Sequence, residues 1–318
     1  MAKEHLRVYQ QIEQVEICGI TSRTIEKART LSNEFGGFPV FSSIQELYKT
    51  TQADLVIVAV NAQSIKTIGI ECFSFPWVVF LEKPIGIDYQ EGLDILRSAQ
   101  QHKSRVAVGL NRRYYSNLMT QKNQISKEHN DGLIIHIYDQ QDERKALKLG
   151  HPEKVVKNWM YANSIHLIDL FRFFGMGSIQ YTQPVVFKKN HIGEKGFIIS
   201  KIVFSNGNIG IYEGVWNMPG LWAVVVNSEN HRWESRPLEK TVVRILGDNK
   251  DIPIDNHPWD SDFKPGLRFQ AQEVVKYVRN EPSNPTLLED GLETMKLVNS
   301  IYTNDVVEFI NSDIKPSY

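Results

Sequence analysis

Apolar and polar positions in the first hundred residues follow two alternating periods. Val15–Ile20 reads as a strand that ends in a polar turn, and Thr24–Phe35 as a helix stopped by Gly36-Gly37 in a left-handed cap. Pro39–Phe41 is a short strand and Ser43–Tyr48 a helix. Asp54–Val60 is a continuous apolar run, the pattern of a strand buried on both faces. Helix Ser64–Cys72, strand Trp77–Leu81, helix Tyr89–His102 and strand Arg105–Gly109 follow, and a helix from Ala2 to about Ile12 precedes them all. Strands alternating with helices predict a parallel sheet covered on both faces.

After Arg113 the pattern changes. A polar helix, Tyr115–Glu128, leads to strand Gly132–Tyr138, an irregular stretch to Asn158 and a strongly apolar helix, Tyr161–Phe174. Strands Ile179–Phe187, Gly196–Phe204, Asn208–Trp216, Trp222–Asn227 and Val242–Ile245 come next, with Ser205-Asn206-Gly207 as a hairpin turn. Helices Leu267–Arg279 and Leu288–Phe309 close the chain. The expected architecture is α/β. A Rossmann-like unit with a parallel sheet spans residues 1–112, and an α/β unit with a largely antiparallel, open-faced sheet spans 113–318.

Composition narrows the function classes. The 318 residues carry 36 Lys plus Arg and 37 Asp plus Glu, a formal charge of −1 that supports neither a nucleic-acid footprint nor an anionic-membrane surface. No stretch has the length of a membrane span and no signal-peptide core is visible, so a cytoplasmic location is expected. The two cysteines, Cys18 and Cys72, are too few for a disulfide framework or zinc site; they read as buried small hydrophobes, and no metal is expected.

Three places could carry chemistry. Glu82-Lys83-Pro84 stands at the C-terminal end of an apolar strand, where open α/β sheets bind ligands. A lone Lys-Pro pair is more often an exposed turn. His166 lies on an apolar helix, where a satisfied core histidine is the usual finding. Yet Ala162, Asn163, His166 and Leu170 share one stripe near the helix start, which favours a pocket. Ser22-Arg23, with Lys27 one turn on, offers a hydroxyl and two cations suited to a 2′-phosphate, or merely a helix cap and solvated side chains. Asp169 is expected to pair with Arg172. Trp216, Trp222, Trp233 and Trp259 are read as filling a subunit interface in preference to stacking on a sugar.

In their order and spacing, Phe80-Leu81-Glu82-Lys83-Pro84-Ile85-Gly86, Val106–Tyr114, Ser164-Ile165-His166-Leu167-Ile168-Asp169-Leu170 and Lys264-Pro265-Gly266 resemble the glucose–fructose oxidoreductase/inositol 2-dehydrogenase (Gfo/Idh/MocA) family. The resemblance implies a Rossmann domain followed by an α/β domain whose open sheet binds substrate or associates subunits. It also implies NAD(P)-dependent oxidation or reduction of a sugar, nucleotide-sugar or polyol carbon in a homo-oligomer.

By the same resemblance Lys83 contacts the reacting hydroxyl, with its bond to Pro84 cis as in many members, and His166 is the general acid/base. Asn61, Glu82 and Pro84 join Ser22, Arg23, Lys27 and Lys83 around the cofactor, and Asn111, Arg113 and Asn163 join His166 around the substrate. The cations favour NADP over NAD. Two departures support an alternative, a cofactor-deficient binding or assembly protein, while intact Lys83 and His166 suit either the oxidoreductase or a third reading, a redox-neutral NAD-using lyase or epimerase. Ala162 stands where the family often has aspartate, and the strand at Val15 reads as the second of its unit. We therefore expect codons upstream of Met1 to encode a first strand and a glycine-rich turn, with Met1–Leu6 resembling the helix that follows it. On that reading the 318-residue chain itself is poorly stable and binds cofactor weakly.

Overall fold

The alternation of the first hundred residues is present in a computed structural model that describes residues 1–128, 132–189, 195–303 and 307–308, with shorter strands than the pattern predicted. In order these are α1 (Ala2–Tyr9), β1 (Ile20–Thr21), α2 (Ile25–Glu34), β2 (Val40–Phe41), α3 (Ile44–Thr51), β3 (Leu55–Val58), α4 (Ile65–Phe73), β4 (Val78–Leu81), α5 (Tyr89–His102) and β5 (Val106–Val108). β1 and β2 form one parallel sheet, and β3, β4 and β5 form a second. Helix ends follow the local sequence. Ser43 Oγ accepts the Glu46 amide at 3.1 Å to start α3, and Gly36 and Gly37, at φ 114° and 80°, turn the chain out of α2.

Two expectations change here. The strand foreseen over Val15–Ile20 is regular only at Ile20–Thr21, and Cys18 beside it is half-exposed. The doubly buried strand is β4, since β3 keeps Leu55, Val56 and Ile57 half-exposed. Position explains this, because β4 lies between two partners while β3 is the edge of its sheet.

The second run of elements begins with a 3-10 turn, Asn111–Tyr114, and continues with α6 (Ser116–Ile125), β6 (Ile134–Gln141), α7 (Glu143–Lys148) and α8 (Glu153–Lys157). The stretch read as irregular thus holds two short helices, α7 being capped by Asp142 accepting the Lys145 amide at 2.9 Å. A π-turn, Met160–Ser164, enters α9 (Ile165–Gly175). Strands β7 (Ile179–Lys189), β8 (Lys195–Phe204), β9 (Ile209–Trp216), β10 (Trp222–Asn227), β11 (His231–Ser235), β12 (Thr241–Ile245) and β13 (Ile252–Ile254) follow. β11 escaped the pattern because His231, Arg232, Glu234 and Ser235 dilute its single large apolar residue, Trp233.

The chain then returns to its first unit through α10 (Trp259–Asp262) and α11 (Leu267–Val278), and the last described elements are α12 (Leu288–Thr303) and β14 (Val307–Glu308). The expected continuation of α12 to Phe309 lies mostly outside the described residues. One unit comprises Met1–Gly86, Gln90–Gly109 and Trp259–Leu288, and the other Ile87–Tyr89, Leu110–Pro258 and the chain from Glu289. The single break foreseen near residue 112 therefore misses the return of Trp259–Leu288. The cause is an apolar stripe. Val8, Tyr9 and Ile12 pack with Leu267, Ala271 and Val275 in one cluster, and the Val108 amide donates to Thr286 O at 2.8 Å.

In the second unit nine strands form one sheet in the order β13-β12-β11-β10-β6-β9-β8-β7-β14, antiparallel except for the pair β6–β9. One face is buried and α9 packs on it at β6, β9 and β10. Gly210 permits the approach, since a Cβ there would lie 2.7 Å from the Phe171 ring. The opposite face carries half-exposed residues such as Ile199, Ile211 and Glu213. Trp216 and Trp233, each 1% exposed, belong to the core and not to an interface. The hairpin turn at Ser205-Asn206-Gly207 is present, with Gly207 at φ 85°.

Candidate functional site

The first unit places its candidate residues where parallel strands end. After β1, Ser22 Oγ accepts the Thr24 amide at 3.2 Å, so the hydroxyl organises the entry to α2. Arg23 and Lys27 are exposed, and no ion pair engages either of them among the described residues. After β3, Asn61 Oδ1 accepts the Ser64 amide at 3.1 Å and caps the turn into α4.

The end of β4 is more constrained. Val78–Leu81 are all buried, the Glu82 amide extends the ladder to Val58 O at 3.1 Å, and the Lys83-Pro84 bond is cis. Ile85 is fully buried and anchors the turn, while Lys83 remains half-exposed. The Glu82 carboxylate is turned inward. Its Oε1 lies 2.7 Å from His5 Nε2 and its Oε2 accepts the Lys83 amide at 3.2 Å. Burial works to raise its pKa, but the His5 hydrogen bond and the neighbouring Lys83 and Lys264 outweigh it and hold the carboxyl below its usual value. Both Glu82 oxygens thus serve the fold.

In the second unit, His166 occupies the first turn of α9 and is 3% exposed. The π-turn before it breaks the regular spacing on which the stripe from Ala162 to Leu170 depended, and Asn163 instead donates to Gln141 Oε1 at 2.8 Å. Such turns are frequent at functional sites. Asn111 is buried and accepts from Arg112 at 2.8 Å. Asp169 pairs with Arg113 and not with Arg172, which instead reaches Asp290 at 3.2 Å. A buried carboxylate takes the cation that offers a bidentate edge, and Arg113 does so through Nε and a terminal nitrogen.

Sequence reasoning missed a buried polar chain behind the π-turn. Trp216 Nε1 donates to Tyr302 Oη at 3.1 Å, Tyr302 and Tyr212 hydroxyls meet at 2.8 Å, and Tyr212 donates to Asp139 Oδ2 at 2.7 Å. Gln141 also donates to Asp139. Burial raises the Asp139 carboxyl above its ordinary value despite the hydrogen bonds of Ser164, Tyr212 and Gln141. Only the polar run Asp139-Gln140-Gln141, whose alternate members 139 and 141 continue the buried face of Ile135 and Ile137, could have signalled it.

Among the described residues no cluster of metal-ligating side chains occurs, and no helix is long and apolar enough to cross a membrane. No relative was found among curated protein sequences. Solved structures share the fold. A dehydrogenase from Chromobacterium violaceum matches at TM-score 0.80 and 17% identity, over 96% of this chain and 92% of that one. The WlbA dehydrogenase from Bordetella pertussis, in complex with NADH and UDP-GlcNAcA, matches at TM-score 0.73 and 16% identity, over 98% and 96%. The UDP-N-acetylglucosamine 3-dehydrogenase GnnA from Acidithiobacillus ferrooxidans matches at TM-score 0.74 and 13% identity, over 96% and 94%. The family model GFO_IDH_MocA, of oxidoreductases with an NAD-binding Rossmann fold, matches residues 1–110, in keeping with the resemblance that the sequence carries.

Proposed function

We propose that this protein is an NAD(P)-dependent oxidoreductase acting on a nucleotide-linked sugar, oxidising a ring hydroxyl to a ketone or the reverse. The observation that carries this reading is Lys83, a half-exposed cation held at the C-terminal end of the buried strand β4 in a unit of an NAD-binding family. UDP-sugars as substrates are taken from the structural neighbours that act on or bind them.

The donors after β1 fit a phosphorylated ribose, because Arg23 and Lys27 are exposed cations without ion-pair partners among the described residues. With Ser22 they would hold the adenosine end, favouring NADP over NAD. A bound nicotinamide supplies the hydride acceptor. Lys83 stabilises the oxyanion that develops as the hydroxyl loses its proton, and His166 takes that proton. Asn111 and Asn163 orient sugar hydroxyls, and Arg113, pinned by Asp169, contributes positive potential. We also infer a homo-oligomer through the half-exposed apolar face of the nine-stranded sheet, to be checked by light scattering of the protein and of Ile211→Glu.

The enzymatic test incubates the protein with NADP⁺ and UDP-N-acetylglucosamine and follows NADPH absorbance. Turnover is expected, with Lys83→Met and His166→Ala each slower by about 10²–10⁴-fold. Absence of NADPH binding together with absence of turnover on a panel of UDP-sugars would overturn the reading.

A further inference from the structure

The turn that carries Lys83 is braced from α1. His5 and Glu82 are 5% and 4% exposed, and their side chains meet at 2.7 Å. A carboxylate held in its ionised form has no hydrogen to give, so the proton of this bond sits on His5 Nε2. The ring is fixed in turn by an edge contact with Phe80 of β4, with centroids 5.2 Å apart and planes at 69°. Opposite, Gly109 leaves the space that Oε2 occupies, since a Cβ there would come within 3.0 Å of it. One oxygen is therefore set by α1 and the other holds the Lys83 amide at 3.2 Å.

We propose that His5 is a positioning residue which, through Glu82, fixes the backbone at Lys83 and so aims its ammonium. The proposal rests on the role given to Lys83 above. His5 touches no reacting atom in this account. It makes the orientation of the Glu82 carboxylate unique, and without it nothing but the Lys83 amide and the charges of Lys83 and Lys264 bears on that orientation. Tyr9, also on α1, is buried nearby, and its phenol is pushed up by burial and by the Glu82 charge.

The test combines a readout at Lys83 with kinetics. In protein labelled with ¹⁵N-lysine, the Lys83 amide resonance is identified by its loss in Lys83→Arg. An amide bonded to a carboxylate lies downfield, so His5→Ala and Glu82→Gln should both move it upfield, while His5→Gln, which keeps an N–H at the same reach, should restore it. With NADP⁺ and UDP-N-acetylglucosamine, His5→Ala should lower kcat by about tenfold to a hundredfold, the scale of a misaimed group. KM for NADP⁺ should stay unchanged and His5→Gln should recover much of the rate. An unmoved amide in folded His5→Ala, or a moved amide with an unchanged kcat, overturns the proposal. If His5→Ala does not fold, the isosteric Glu82→Gln decides by the same two criteria. A wild-type protein without turnover instead defeats the assigned reaction, and the amide shift still judges the brace on its own.

Discussion

Asp169 receives one edge of the Arg113 guanidinium in a bidentate pair, at 2.5 Å from Nε and 2.7 Å from a terminal nitrogen, and a third donor, Thr294 Oγ1, at 2.7 Å. The carboxylate side chain is 1% exposed and the guanidinium 16%. This pair ties the turn before α6 to α9, the helix of His166. Removing one partner leaves a buried charge uncompensated, which costs about 3–5 kcal/mol. Asp169→Ala should therefore lower the urea midpoint by an amount corresponding to that loss. A change below about 1 kcal/mol, the scale of an exposed pair, would contradict it.

Lys122 should make stability depend on alkaline pH. Burial, then the Arg113 charge, lower its ammonium to about 8, while its Nζ donates to the Phe173 carbonyl in the last turn of α9. Unfolded, it titrates near the ordinary value of about 10.4. Below about pH 8 both states hold the proton, and the cost of burying the charge is fully present. From there up to about pH 10.4 the unfolded chain binds more protons than the folded one, so this contribution to stability rises with pH. The difference in unfolding free energy between the protein and Lys122→Met should shift in favour of the protein across that window. A difference independent of pH would refute it.

Much of the architecture was legible because hydrophobic period survives tertiary context. α5 and β10 have the bounds that their apolar spacing gave, and the turn at Ser205–Gly207 lies where the glycine put it. The Lys83-Pro84 bond is cis as the resemblance implied. Illegible were the relationships made by distant partners. Nothing near Glu82 announces His5, which is 77 residues away, and nothing near Asp169 chooses Arg113 over the closer Arg172. The π-turn was hidden for another reason. Nothing in the local sequence of Met160–Ser164 marks its wider winding, and its Asn163 is engaged by a distant partner, Gln141 on β6.

Cofactor preference is tested at Arg23. An arginine–phosphate hydrogen bond is charge-assisted and contributes about 1.5–3 kcal/mol, with exposure placing it at the low end. NADPH should bind about tenfold more tightly than NADH in a fluorescence titration, and Arg23→Ala should erase most of that difference. Equal affinities for the two cofactors, unaffected by the substitution, would remove NADP from the proposal.

The two thiols should differ in reactivity. Cys72 is 1% exposed and burial pushes its thiol up to about 12, whereas Cys18 is half-exposed, though burial raises it as well. Only the thiolate reacts. In the native state an aromatic disulfide reagent should label Cys18 alone, as mapped by peptide mass, with Cys72 labelled after denaturation. Equal rates at both would mean that the helix carrying Cys72 opens readily.

Tyr302 is the middle of a one-way relay. Tyr212 has a single hydroxyl proton and gives it to Asp139, so the bond between the two tyrosines must run from Tyr302 to Tyr212, while Trp216 donates to Tyr302. Tyr302→Phe keeps the ring and its edge contact with Trp216 but removes the one hydroxyl that serves both neighbours. The buried Trp216 N–H then has no acceptor and Tyr212 loses its donor, each defect costing about 1–3 kcal/mol in a buried setting. The variant should unfold at lower urea than the wild type, with Trp216 emission shifted to shorter wavelength as its indole loses a polar partner. Adding Trp216→Phe should cost less in Tyr302→Phe than in the wild type, because both backgrounds lose the same buried packing but only the wild type also loses the bond. Equal penalties in the two backgrounds would show that the Trp216–Tyr302 bond contributes nothing to stability.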